Sequence, residues 1–142
     1  MIVADSFEDL VDDFNFLDEW EDRYRYVIEL GRELPELTDS ERNETTKVHG
    51  CASQVWLVTE SSGDDQNPVL NFRGDSDALI VKGLIAILLR IFSGKSAQDI
   101  LNTDALTMLG EINLEENLSQ QRSNGLKSMV KRIEAEAQMA LA

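Results

Sequence analysis

Residues 53–92 read SQVWLVTESSGDDQNPVLNFRGDSDALIVKGLIAILLRIF. Ser53 to Thr59 has the β-branched and aromatic content of a strand, and Val69 to Arg73 alternates as a second strand would. Between them Ser61-Ser62-Gly63-Asp64-Asp65-Gln66-Asn67 is a loop, so the pair predicts an antiparallel hairpin. Gly74-Asp75-Ser76-Asp77 then supplies caps for a helix over Ala78 to Phe92. That helix is apolar nearly all round, from Leu79, Ile80 and Val81 through Leu84 and Ile85 to Ile91, which marks it as the central core helix. Gly83 inside it allows a neighbour to pack closely. A hairpin that feeds a buried helix is the signature of an α+β fold.

The flanks extend this pattern with helices. Ser6 followed by Asp9 reads as an N-cap, with Phe7, Leu10, Val11 and Phe14 at helical spacing. A second helix is expected from Asp18, with Glu21 three residues on, ending near Gly31 to Pro35 and placing Trp20, Tyr24, Val27 and Ile28 on one face. Pro35 to Thr46 reads as a polar connection. Short helices are expected over Ser96 to Asn102 and Asp104 to Leu109, and a long one from about Ser119 that carries Leu126, Met129, Val130 and Ile133 on one face. No repeat, low-complexity stretch or linker interrupts the chain, so residues 1–142 are expected to form one domain, its helices covering one face of a small antiparallel sheet.

Composition narrows the possible chemistry. The chain has 142 residues and a net charge of −14, and its first 44 residues alone hold fifteen acids against four bases. Such a front part repels phosphate backbones, which argues against nucleic acid and for either a solvated helix face or a basic protein surface as partner. With one cysteine and one histidine there is no internal disulfide and no four-ligand zinc site of Cys/His type, so no metal is expected. The N-terminus lacks the features of a secretory signal or transit peptide, and the apolar run from Ala78 to Phe92 is shorter than the roughly 20 residues that span a bilayer. The expectation is a soluble, cytoplasmic protein without a membrane partner.

Cys51 is the candidate reacting atom. The stretch from Thr45 to Thr59 contains no Asp or Glu, and Lys47 and His49 flank the thiol, so the local field favours thiolate. A lone cysteine is often core filler. Against that reading, Gly50 permits a turn that a core strand does not need, and Lys47 with His49 is a costly neighbourhood to bury. His49 and Cys51 would share a side of an extended segment, so His49 could serve as a base in a stand-alone thiol enzyme. No Gly-rich phosphate loop is present. Without a second cysteine the chain cannot resolve a disulfide by itself, which suits a carrier that accepts a group on sulfur and passes it on. An interaction module with an inert thiol is a further alternative.

Three ordered blocks give the chain a family likeness. They are His49-Gly50-Cys51-Ala52-Ser53-Gln54-Val55-Trp56, then Gly74-Asp75-Ser76-Asp77-Ala78 leading into Ile80-Val81-Lys82-Gly83-Leu84, then Leu118-Ser119 with Arg122-Ser123-Asn124-Gly125-Leu126. With Trp20-Glu21, Arg23-Tyr24, Leu30-Gly31 and Leu34-Pro35, they resemble the SufE family of cysteine desulfuration proteins over nearly the whole chain. The resemblance implies a fold like that of the IscU scaffold, without that scaffold's cluster-ligand cysteines. It also implies that Cys51 accepts sulfane sulfur from a SufS-type cysteine desulfurase, stimulates that enzyme, and delivers sulfur to SufBCD for iron–sulfur cluster assembly. The paralogous CSD desulfurase is an alternative partner. Pyridoxal phosphate would belong to the desulfurase, and no cofactor is expected on this chain. By position, Asp77 would help hold the Cys51 loop, Gln54 would lie beside the thiol, and Arg122 would face the desulfurase. Asp77 and Ser76 read equally well as plain helix caps. The chain departs from the family at Ala52, where Gln is usual, and at Gln120, where Pro is usual.

Overall fold

The computed structural model describes residues 6–142. Helix α1 (Phe7–Phe16) starts where the Ser6 hydroxyl accepts the Asp9 N–H, and it buries Phe7, Leu10 and Phe14. Its C-terminal end is closed by the Leu17 N–H, which donates to Asp13 O and Phe14 O, and by the Arg23 guanidinium, which donates to Leu17 O at 2.8 Å and to Phe14 O at 2.9 Å. Helix α2 (Trp20–Arg32) begins later than the sequence suggests. Asp18 caps nothing, Glu19 is the flanking residue without a side-chain bond, and Glu21 pairs with Arg25 at 2.9 Å instead of closing a capping box. On its inner face Val27 is buried with Tyr26 and Leu30, whereas Trp20, Tyr24 and Ile28 are half-buried.

The expected hairpin forms, with its first strand shifted toward the turn: Ser53 and Gln54 lie outside it, and Ser61 and Ser62, expected in the loop, belong to it. Strands β1 (Val55–Ser62) and β2 (Val69–Ser76) pair antiparallel in a register that sets Val55 opposite Ser76 and Ser62 opposite Val69. Leu57, Leu70 and Phe72 point to the core. Strand β2 is longer than its apolar alternation implied, because Gly74, Asp75 and Ser76 continue the ladder and do not cap the next helix. The reason is Asp75. Only 4% exposed, it accepts from Arg42 at 3.0 Å and lies 3.4 Å from Lys82 Nζ, with Ser76 N–H and Leu37 N–H also donating to it. Burial pushes its pKa up, but those backbone donors and the Lys82 charge outweigh burial and hold the carboxyl below its usual range. A two-residue strand β3 (Lys95–Ser96), which the sequence reading missed, adds to the far end of β2.

Helix α3 (Leu79–Phe92) is the core helix, as its composition predicts. Two expectations fail at its start: Ala78 precedes it without a side-chain cap, and Leu79 is 53% exposed. The expected close packing is present. A Cβ built on Gly83 would lie 2.2 Å from Val27 O, and one on Gly31 would lie 2.6 Å from Gly83 N, so α2 and α3 meet almost backbone to backbone. Helices α4 (Ala97–Leu101) and α5 (Ala105–Gly110) are capped by Ser96 and Asp104. A 3-10 turn (Glu115–Asn117) leads to Ser119, whose hydroxyl caps α6 (Gln120–Leu141). Helix α6 buries Leu126, Met129, Val130 and Ile133 against the same core.

The segment read as a plain polar connection is folded. Leu37 is buried, Thr38 and Glu41 donate backbone N–H groups to each other's side chains, and Glu41 pairs with Arg73 of β2. That pairing lowers the Glu41 pKa to about 2. Arg42 lies over the Trp56 ring at 5.9 Å, so the sheet face turned away from α3 is covered in part by this segment. No helix among the described residues is long and apolar enough to cross a membrane.

The helix crossing makes a direct prediction. Alanine at position 83 gains about 1 kcal/mol in helix propensity. Forcing a methyl into the Val27 backbone costs about 3 kcal/mol. The Gly83→Ala protein should therefore unfold at a lower urea midpoint, with a net loss of about 2 kcal/mol.

Candidate functional site

Cys51 sits where the sequence reading put it, at the entry to the hairpin. Val48 N–H donates to Val55 O and Leu57 N–H to Thr46 O, both at 2.8 Å, and Lys47 bridges Trp56. The chain thus leaves the edge of β1 at Val48 and rejoins it at Val55, with residues 49–54 as a closed loop. Gly50 takes φ +90, a left-handed conformation that side chains rarely adopt, and a Cβ there would lie 2.5 Å from Ser128 Oγ. The turn that brings the thiol against α6 is therefore available to glycine and strained for other residues.

The thiol itself is half-buried and rests on α6. Its Sγ donates to Gly125 O at 3.6 Å, and a Cβ on Gly125 would touch Sγ at 3.6 Å, an ordinary packing distance, so the loop lies directly on this turn of α6. Around it lies a cavity of about 260 Å³. Val81, Leu84 and Met129 form its apolar wall, and Ser53, Ser119 and Arg122 stand at its polar side. Arg122 is exposed, and among the described residues no acid forms an ion pair with its guanidinium. The expected electrostatics of the thiol are reversed. Burial pushes its pKa up, and the Lys47 and His49 charges do not offset that.

His49 does not join Cys51. It is largely exposed and faces Glu44, with Nε2 4.0 Å from the carboxylate, and no hydrogen bond connects it to the thiol. The acid-free stretch was a feature of sequence only, since Glu44 folds back onto it. Gln54 does not line the cavity, and the contacts that tie it into the structure are made by its backbone. Gln54 N–H donates to Asp77 Oδ1 at 3.1 Å, and Gln54 O accepts from Ser76 Oγ at 2.7 Å and from Asp77 N–H at 3.4 Å. Asp77 and Ser76 therefore act on the far end of the Cys51 loop and do not cap α3 through a side chain bonded into its first turn.

Several lining residues carried no signal of their own. Gly125 and Ser119 stood in the third sequence block without an assigned role, and Met129, Val81 and Leu84 read only as core. Their convergence depends on α6 crossing the loop, a contact between residues 74 positions apart. Among the described residues no group of three or more His, Cys, Asp or Glu side chains could hold a metal ion.

This geometry predicts the pH profile of the thiol. In the native protein the rate of iodoacetamide modification should rise with a midpoint above that of the same cysteine in urea, because burial disfavours the thiolate only while the loop is docked. Coincident midpoints would show a solvated thiol.

Comparison with known proteins places the chain in a family and matches its fold. Residues 8–137 match the SufE family, described as an Fe-S metabolism associated domain. An uncharacterised SufE-like protein of Rhizobium etli is 60% identical over 137 residues, which is 96% of this chain and 93% of that protein. Another from Rhizobium meliloti is 59% identical over 133 residues, covering 94% of this chain and 95% of the relative. In fold, the chain is similar to a hypothetical protein from Thermus thermophilus solved in solution, with a TM-score of 0.75 at 21% identity over 99% of this chain and 98% of that one. With its thiol loop, its hairpin and its core helix in the arrangement described, this chain belongs to the SufE family, whose domain is associated with iron–sulfur metabolism.

Proposed function

We propose that this chain, acting as a single domain in the cytoplasm, is a sulfur carrier for a pyridoxal-phosphate-dependent cysteine desulfurase. Cys51 Sγ attacks the outer sulfur of the desulfurase persulfide. A new S–S bond forms on Cys51, the donor's S–S bond breaks, the Cys51 proton passes to the departing desulfurase sulfur, and that cysteine is free for the next turnover. Removing that sulfur is how the carrier stimulates the enzyme without being one. The loaded protein then delivers sulfur for cluster assembly, with SufBCD as receiver. A CSD-type desulfurase would be served by the same chemistry.

The observation that carries this reading is the position of the one thiol. It lies at the tip of a closed loop, beside a cavity that Arg122 also lines, with no base bonded to it. A stand-alone thiol enzyme needs a base on its nucleophile, and His49 is directed to Glu44. A persulfide donor brings its own activated sulfur, so a carrier thiol can rest protonated until it docks. In this reading Asp77 and Gly50 hold the loop, Gln54 links it to β2 through its backbone, His49 lies on the docking surface, and Arg122 meets the partner or the transferred anionic sulfur.

Intact-mass analysis after incubation with a SufS-type desulfurase, pyridoxal phosphate and L-cysteine tests the proposal. The wild-type protein should gain one or more sulfur atoms that reductant removes. Cys51→Ser should gain none and give no stimulation while keeping its circular dichroism; normal stimulation by that variant would refute the carrier mechanism. Arg122→Glu should load more slowly, with an apparent KM for the carrier raised about tenfold and its melting temperature unchanged.

A further inference from the structure

Helix α6 meets the cysteine loop along one face, through residues 125, 128 and 132. The segment 45–51 runs antiparallel to it. At the tip Cys51 Sγ donates to Gly125 O at 3.6 Å, and one turn on Ser128 Oγ donates to Gly50 O at 3.4 Å. At the root Arg132 spreads across two carbonyls, donating from Nη1 to Lys47 O at 2.8 Å and from Nη2 to Thr45 O at 2.6 Å. Glu136, on the next turn, accepts from Arg132 Nε at 2.9 Å and fixes the guanidinium's orientation. The two side chains are only 22% and 17% exposed.

These contacts grade from weak to strong. Thiol and hydroxyl donors at 3.4–3.6 Å hold little, whereas a half-buried guanidinium bonding two carbonyls is charge-assisted and rigid. The root is also held from its other side, since Thr46 O accepts Leu57 N–H of β1. Consecutive carbonyls at 45, 46 and 47 thus alternate between α6 and the sheet. Every one of them has a donor, and two of the three depend on Arg132.

We propose that Arg132, oriented by Glu136, is a positioning residue for Cys51. It fixes the root of the loop, so that residues 49–53 alone leave α6 and the thiol swings from a constant pivot at Val48. On the far side Gln54 is fixed to β2 by Ser76 and Asp77. Three residues beyond the pivot, the Cys51 Cα reaches at most ~11 Å from that of Val48, with the thiol one side chain farther. Loss of Arg132 takes the shared donor from two carbonyls, leaving Thr45 O to solvent, and lets the root lift, so that the thiol is presented from many positions. The purpose of this pivot rests on the sulfur-carrier reading; its existence does not.

The experiment compares Arg132→Gln, Arg132→Lys and Glu136→Gln with wild type by two readouts: iodoacetamide modification of Cys51 in the free protein, and the carrier's KM and kcat in desulfurase stimulation. Losing two charge-assisted bonds should raise the modification rate of Arg132→Gln about tenfold or more. Its KM should rise by more than its kcat falls. Arg132→Lys, which can still bond a single carbonyl, should recover part of both effects, and Glu136→Gln should lie between wild type and Arg132→Gln. Gly83→Ala is the control for global destabilisation, because that site lies on the α2 side of α3. If Arg132→Gln reacts at the wild-type rate with unchanged KM, or no faster than Gly83→Ala of equal stability, the proposal is overturned. If Arg132→Gln reacts faster but the wild-type protein takes no sulfur from a desulfurase, the pivot stands and the sulfur-carrier reading falls.

Discussion

A carboxylate buried at the end of a strand has to be matched by cations and donors, and the matching of Asp75 organises this protein. An unpaired charge there would cost several kcal/mol. Its partners come from separate parts of the chain: Leu37 and Arg42 from the segment before the cysteine, Lys82 from the core helix, and Ser76 beside it. The arrangement fixes the end of β2, the cover on the outer sheet face and the first turn of α3 relative to one another. The residues that bind Gln54, Ser76 and Asp77, follow directly in the chain. The far end of the cysteine loop is thereby referenced to a buried ionic centre and not to a solvated turn.

Against that fixed framework the thiol is held lightly. Its environment favours the neutral form, its seat is a glycine carbonyl, and its neighbours on one side are apolar. A neutral thiol donates a hydrogen bond to that carbonyl, and a thiolate cannot, so ionisation weakens the docked position of the loop. Resting state and reactive state then differ in geometry as well as in charge. Such an arrangement lowers the thiol's reactivity for as long as the loop rests on α6.

What could be read from the sequence was whatever local pattern decides. Ser6 and Ser119 with their following residues, the periodic Leu126 to Ile133 face, and the β-branched run at Val55 gave helix, cap and strand correctly. The position of Cys51 followed from them. Gly74-Asp75-Ser76 misled because it is locally a capping sequence, and its true role appears only when Arg42, 33 positions away, is brought beside it. Strand β3 has two residues, too few for a pattern. The thiol's charge state was misjudged for a related reason. Lys47 and His49 are near in sequence, but burial against α6 acts on the sulfur and Glu44 takes the histidine. Arg132 carried no local signal, since its partners are backbone carbonyls 85 and 87 residues earlier.

The pairing of Thr46 to Val48 with β1 has one more effect. Strand β1 lies at the border of the sheet, with β2 on its inner side. A border strand exposes unused N–H and C=O groups on which another chain can add itself. Here the end of that border nearest the cysteine is already occupied by the protein's own backbone, through Val48 to Val55 and Thr46 to Leu57. The remainder, toward Glu60, Ser61 and Ser62, is polar and exposed and carries a carboxylate paired to Arg73. Strand addition by another chain is thus discouraged along this whole border, next to the cysteine by the protein's own backbone and farther on by polar, charged residues.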